Sequence, residues 1–361
     1  MTEIRSIPIF FILGRPRSGT TLLSALFDAN PNVRIPPEYP IFLSLIQRFK
    51  KVRTWDEPMI FTFVEHIFRH DVFNHYTLEN LKIDREKLTA SLLSLGPEVS
   101  LSDLMKTFQS HAYSIFPKKE LLQIGDKNPL YSIYFQRFLR IFTDARFICI
   151  TRDYRDNYIS MKGLADLELE APILSLQVAR WRFVARSFLQ YRNRYPHRFY
   201  LVRYEDLVTN PEGTMQQLCR FLSLPYEPSV FDFYKKKEET LKVYPRVIVE
   251  KVHKSLMQPV STSRMGLWKR ELTERQVRIA DAVAGKYADI LDYERLSRKV
   301  SPGLFILTRP VMIYAFLLFW MMQLGFHLPY RISGWLTVRL LILVKTWFLL
   351  FGRQRKQDST A

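Results

Sequence analysis

The chain has 361 residues, 47% hydrophobic and 14% aromatic, which excludes disorder and leaves room for an α/β domain of about 250–300 residues with an appendage. Its 53 Lys and Arg against 35 Asp and Glu give a formal charge of +18, which favours polyanionic ligands, nucleic acid or anionic lipid headgroups. Two cysteines, Cys149 in an apolar run and Cys219 in a helical pattern, exclude a disulfide framework and a zinc site and read as buried thiols.

The opening MTEIRSIPIFFILG carries no small-residue cleavage site, so the domain is expected in the cytoplasm. Ile7–Leu13 is an apolar run of strand length, Gly14–Thr21 is a Gly-bounded loop, and Leu22–Ala29 has helical character. Further strands are predicted at Val33–Ile35, Leu121–Gly125, Arg146–Thr151 and Arg198–Val202, separated by helical patterns. That alternation gives a P-loop-like α/β fold, a parallel sheet with helices on both faces. Residues 41–120 interrupt it with aromatic and charged helical patterns, read as an inserted helical cap. Pro302 and Gly303 close a domain over residues 1–300. In the tail, 301–361, Val311–Phe326 and Trp335–Phe351 are apolar runs flanked by Arg309, Arg331, Arg353, Arg355 and Lys356. A helical pair dipping into an anionic membrane surface fits them, and a buried hairpin or a homodimer interface competes with it.

The loop Gly14-Arg15-Pro16-Arg17-Ser18-Gly19-Thr20-Thr21 can cradle an anion on backbone N–H groups at a helix start. It has the glycine spacing of a nucleotide-triphosphate loop, but Thr20 stands at the lysine position and the cation is Arg17. An ordinary turn with solvated arginines has the same outline. At the end of the fourth strand, Arg152-Asp153-Tyr154-Arg155-Asp156 is followed by Ser160, so that Arg152 and Ser160 can grip one phosphate from two sides. A surface ion-pair cluster is the plainer account of that segment.

Taken together, Pro16–Thr21 and Arg152 to Ser160 resemble the two nucleotide motifs of sulfotransferases that use 3′-phosphoadenylyl sulfate as co-substrate. The loop is nearest the tyrosylprotein and carbohydrate branches. The resemblance implies that Arg17, Ser18, Gly19, Thr20 and Thr21 hold the 5′-phosphosulfate, and that Arg152 and Ser160 hold the 3′-phosphate. It implies too that Tyr204, in Val202-Arg203-Tyr204-Glu205-Asp206, contacts the adenine. Arg264, in Ser263-Arg264-Met265-Gly266, closes over the 3′-phosphate, although Met265 replaces a basic residue of the family pattern.

For the chemistry the resemblance assigns Glu38 as general base, just beyond the second strand, and Lys127 with Arg17 as the cations at the developing charge. His111 is the alternative base. No metal and no nucleic-acid partner are expected. The acceptor is an alcohol or phenol, with a lipid or hydrophobic alcohol favoured over a tyrosyl or carbohydrate hydroxyl. A P-loop kinase and a non-catalytic membrane-bound nucleotide-binding protein are the competing functions.

Overall fold

The computed structural model describes residues 4–69, 78–163, 173–244 and 254–325, with 249, 327, 328 and 332 as isolated positions. Five strands, β1 (Ile9–Gly14), β2 (Val33–Arg34), β3 (Gln123–Lys127), β4 (Arg146–Thr151) and β5 (Phe199–Arg203), form one sheet in the order β2-β3-β1-β4-β5. Every neighbouring pair is parallel. All five strands expected from the sequence are present. β3 begins two residues later than its apolar pattern suggests, because Asp126 and Lys127 are buried inside the strand while Leu121 and Leu122 precede it.

The α-helices of eight residues or more, with one shorter turn that carries a site residue, are α1 (Thr20–Ala29), α2 (Ile41–Phe49), α3 (Glu57–Arg69), α4 (Arg85–Leu93), α5 (Leu101–His111), α6 (Tyr131–Ile141), α7 (Tyr154–Lys162), α8 (Leu174–Arg194), α9 (Tyr204–Thr209), α10 (Pro211–Leu222), α11 (Glu274–Ala284) and α12 (Pro302–Gly325). Their starts are locally encoded: Ser100 caps α5 through the Asp103 N–H, and Thr273 with Gln276 forms a full capping box on α11.

β1 is buried on both faces, so its side chains alternate between two cores. Phe10 and Ile12, with Ile148 and Ile150, pack under α1, α9 and α10. Phe11 and Leu13, with Phe147 and Cys149, pack against α2, α5, α6 and α8. The helices of 41–111 thus share the core of the second sheet face. Phe11 sits at its centre, stacked on Phe147 at 5.4 Å and edge-on to Phe138 at 4.9 Å and Phe142 at 5.2 Å. A third cluster joins α8, α11 and α12 through Trp181, Val283 and Ala315.

The tail's first apolar run forms α12, and this helix is long and apolar enough to cross a membrane. The second run, Trp335–Phe351, lies outside the described residues. Both cysteines are buried and unbonded, and burial pushes both thiols up, Cys219 to about 11. They are inert as nucleophiles at neutral pH.

Phe11→Ala removes the hub of the larger aromatic core. It is expected to cost about 3–5 kcal/mol, read as a lowered denaturation midpoint, and a loss below about 1 kcal/mol would show that the core collapses around the gap.

Candidate active site

Parallel pairing brings the C-terminal ends of β1, β3, β4 and β5 to one edge, and every site residue expected from the sequence except His111 lies at or beside that edge. The 14–21 loop leaves β1 at Gly14 and enters α1 at Thr20. No side chain caps α1, so its first N–H groups face the loop interior. Ser132 of α6 fixes the loop's base, its Oγ accepting from the Gly14 N–H at 2.8 Å and donating to the Gly14 carbonyl at 3.0 Å. Asn157 of α7 fixes the crown, donating to the Pro16 carbonyl at 2.9 Å and to Ser18 Oγ at 3.2 Å.

Two loop positions have unusual backbone. Gly19 has φ +93°, and a Cβ there would stand 2.5 Å from the Tyr204 ring, so a side chain is excluded by conformation and by contact. Arg17, not a glycine, has φ +67°, which costs roughly 1–2 kcal/mol. Its surroundings hold it there: Arg152 Nη1 donates to its carbonyl at 3.0 Å, and its own Nε donates to Ser160 Oγ at 3.0 Å.

Arg17, Arg152, Ser160, Tyr204 and Arg264 therefore converge. Arg152 Nη2 reaches the Arg264 carbonyl at 2.5 Å, and its guanidinium lies 4.7 Å from the centre of the Tyr204 ring. Burial, then repulsion from Arg264 and Arg152, hold the Arg17 guanidinium down to about 10, with only Tyr204 opposing. It stays charged at neutral pH. Arg152 is 3% exposed, and its Nε is buried without a hydrogen-bond partner among the described residues. Three mutually repelling cations around a row of helix-start N–H groups form a site for a multiply charged anion, and the orphaned Nε is a donor such an anion can satisfy.

Lys127 stands at the end of β3, 2% exposed, in direct contact with the Glu38 carboxylate and 3.3 Å from Thr21 Oγ1. Burial drives its ammonium down to about 7. The protonation of Lys127 is thus decided near neutrality. One residue earlier, burial raises Asp126 to about 8, and its partner is the Tyr131 hydroxyl. Thr21, Asp28, Ile35, Pro37, Phe116 and Phe233 border a cleft open to solvent, and Thr21 is also the residue that Lys127 reaches.

His111 is placed elsewhere. It ends α5, bonds Ser91 of α4 at 3.0 Å, and is held below its usual value by burial and by Arg34. Sequence reasoning missed the residues that hold the site's backbone. Besides Ser132 and Asn157 these include Asp156, which accepts from the Gly266 and Trp268 N–H groups at 2.7 and 2.9 Å and so positions the Arg264 turn. They also include Gln177, which binds the buried Arg15 through its carbonyl at 3.0 Å and its Oε1 at 2.6 Å. Asp156 stood in a motif already singled out, but as one half of an ion pair.

A family model described as sulfotransferase family matches residues 8–228. The chain is 25% identical over 284 residues to the protein-tyrosine sulfotransferase of Drosophila melanogaster, covering 73% of this chain and 47% of that protein. It is 25% identical over 271 residues to protein-tyrosine sulfotransferase 1 of Danio rerio, covering 73% and 66%. The chain therefore spans about half to two thirds of the length of these relatives. Among solved structures, the sulfotransferase domain of the Synechococcus PCC 7002 olefin synthase aligns with a TM-score of 0.52 at 20% identity, covering 80% of this chain and 95% of that one, a likeness of fold. The matched family region begins at the foot of β1, takes in the 14–21 loop, Glu38, Lys127, Arg152, Ser160 and Tyr204, and accounts for more than half of the chain, so the protein belongs to the sulfotransferase family.

Proposed function

We propose that the protein transfers a sulfuryl group from 3′-phosphoadenylyl sulfate to an acceptor hydroxyl. The observation that carries this reading is the meeting of two sites at one sheet edge: the tri-arginine anion site and the apolar cleft, joined at Thr21, which borders the cleft and receives Lys127. In this reading the 14–21 loop holds the 5′-phosphosulfate, and Arg152, Ser160 and Arg264 hold the 3′-phosphate. Tyr204, against Gly19 and Arg152, offers its ring to the adenine. A nucleotide with two separate phosphate groups matches cations arranged on two sides of the loop.

The chemistry needs in-line approach and charge stabilisation more than covalent help. Glu38 takes the acceptor proton as the acceptor oxygen bonds to sulfur. Lys127 and Arg17 hold the negative charge that collects on the departing phosphate oxygen as its bond to sulfur breaks. The products are a sulfate ester and adenosine 3′,5′-bisphosphate. Pro36 and Pro37 stiffen the backbone immediately before the base. The cleft's walls are mostly aliphatic and aromatic, with Ser24, Asp28, Thr240 and Tyr244 among them, a lining that takes an aromatic or aliphatic skeleton and offers its hydroxyl polar partners. The relatives are named for tyrosine in proteins, which supports a phenol. Assays with labelled donor against a tyrosyl peptide, a hydrophobic alcohol and a sugar decide the acceptor. Transfer from ATP with magnesium, in place of 3′-phosphoadenylyl sulfate, would establish a kinase instead.

Arg152→Ala is expected to weaken adenosine 3′,5′-bisphosphate by about one to two decades, the effect of losing a charged hydrogen bond of about 1.5–3 kcal/mol, with little change for adenosine 5′-monophosphate. Calorimetry showing equal losses for both nucleotides would move Arg152 away from the 3′-phosphate.

Bisphosphate affinity should also depend on pH through Lys127. A bound anion favours the ammonium, so the bound pKa lies above the free value of about 7. Below the free value both states are protonated and affinity is flat; above it binding takes up a proton and affinity falls as pH rises. Calorimetry in buffers of differing ionisation enthalpy reads that proton directly, and Lys127→Met should abolish it.

Glu38→Gln keeps the side chain's shape but removes the proton acceptor. Turnover should fall about 10²- to 10⁴-fold with bisphosphate binding nearly intact, while His111→Ala stays near wild type. The reverse pattern would assign the base to His111.

A further inference from the structure

α12 carries two opposed stripes. Thr308, Ala315 and Phe319 are buried, and Val311, Met312 and Met322 partly so. Spacings of three, four and seven residues put these on one side of the helix. Phe319 stacks on Phe183 of α8 with 3.9 Å between centroids, and Gln323 donates to the Ile133 carbonyl of α6. Arg137 donates to the Gln323 carbonyl at 3.1 Å, and beyond the helix Gln47 of α2 holds the Leu328 carbonyl at 3.2 Å. The helix is therefore fastened to the domain from Thr308 to Gln323, about 22 Å at 1.5 Å per residue. On the other side Ile306, Ile313, Phe316, Leu317, Trp320 and Leu324 stand exposed.

Length and composition alone would let α12 span a bilayer, but its docking is incompatible with that. A spanning helix is surrounded by about 30 Å of hydrocarbon. Its docked side would draw α8 into that layer together with Arg180, Arg182 and Arg186, each of them costly there. In the plane of the interface, the exposed stripe meets acyl chains while α8 stays in water.

Charge selects the partner. At one end of α12 Arg309 lies over the Phe305 ring at 3.9 Å, in a group with Arg182 and Arg186. At the other end Lys50, Arg137 and Arg140 surround His327, and Lys51 adjoins them; burial and these cations hold the imidazole below its usual value. A second copy of this chain would set like charges against each other, whereas an anionic headgroup layer, such as the cytoplasmic leaflet offers, neutralises both groups.

We propose that α12 lies flat in an anionic lipid surface and seats the domain there as a monotopic protein, with the acceptor cleft on the far side of the sheet. The cleft is walled by α1 and by Phe116 and Phe233 of the core beneath α1, while α12 packs on α8, whose Val184 and Phe188 belong to the core of the opposite sheet face. An acceptor then enters from water.

The full-length protein is mixed with phosphatidylcholine vesicles with and without phosphatidylserine. Association is expected with the anionic vesicles, reduced at least about tenfold by Phe316→Glu with Trp320→Glu and weakened by salt. Unchanged bisphosphate binding in the double variant confirms an intact domain. An impermeant maleimide added to the outside of the vesicles should label Ser301→Cys and His327→Cys alike, the native cysteines being buried. Labelling of one end only, vesicle binding that survives the double substitution, or a dimer that buries the stripe without lipid overturns the proposal. Vesicle binding is read without turnover, so its failure is distinct from failure of the sulfuryl-transfer reading.

Discussion

Arg17, Arg152 and Arg264 repel one another across a small, largely buried space, and Arg17 is held below its ordinary value by that repulsion and by burial. An arrangement of this kind persists only where surrounding bonds over-determine it. Here the bonds go to backbone: Arg152 grips the carbonyls of Arg17 and Arg264, Asn157 grips Pro16, Ser132 grips Gly14, and Asp156 grips the turn after Arg264. The sheet sets the frame for all of them, since parallel strands ending at one edge are what bring loops from β1, β4 and β5 together. Gly19 is the tightest point of that frame, because Tyr204 occupies the space any side chain would need.

The sheet was legible because β1 and β4 are buried on both faces and read as unbroken apolar runs. β3 was less so. Its last two residues, Asp126 and Lys127, are polar yet buried, Asp126 against the Tyr131 hydroxyl and Lys127 against Glu38, and they break the apolar pattern by which a strand is found. The helical character of 41–120 was legible as a whole, but the common core of its helices with Phe11 and Phe147 depends on contacts that no local periodicity records. The same limit applied to the site. Glu38, Lys127 and the loop residues stand in short motifs, whereas Ser132, Asn157 and Gln177 each act through a pair of hydrogen bonds to residues more than a hundred positions away.

Electrostatics separates the roles of the two lysine-like cations. Arg17 remains charged whatever the pH of a cell, so the loop always presents a positive point to an anion. Lys127 is different because burial brings its proton within reach of neutral pH, and its contact with Glu38 ties the state of the cation to that of the carboxylate. In the proposed reaction the cation that holds the charge collecting on the departing oxygen and the carboxylate that takes the acceptor's proton are thus neighbours before any ligand arrives. When an anion enters the loop it competes with Glu38 for Lys127, and a carboxylate freed from its cation is the stronger base.

The position of the cleft relative to α12 bears on what that base meets. The cleft belongs to the α1 side of the sheet and the tail helix to the α8 side, so in the proposed seating an acceptor dissolved in the bilayer under α12 has no direct entry to Thr21. Apolar walls in the cleft and an apolar tail therefore have separate causes. In the proposed function the walls face the carbon skeleton of an acceptor that arrives through water, and a phenol meets this with one hydroxyl and one ring. The helix, by contrast, in the proposed arrangement seats the domain at a lipid surface and contributes no atom to the transfer.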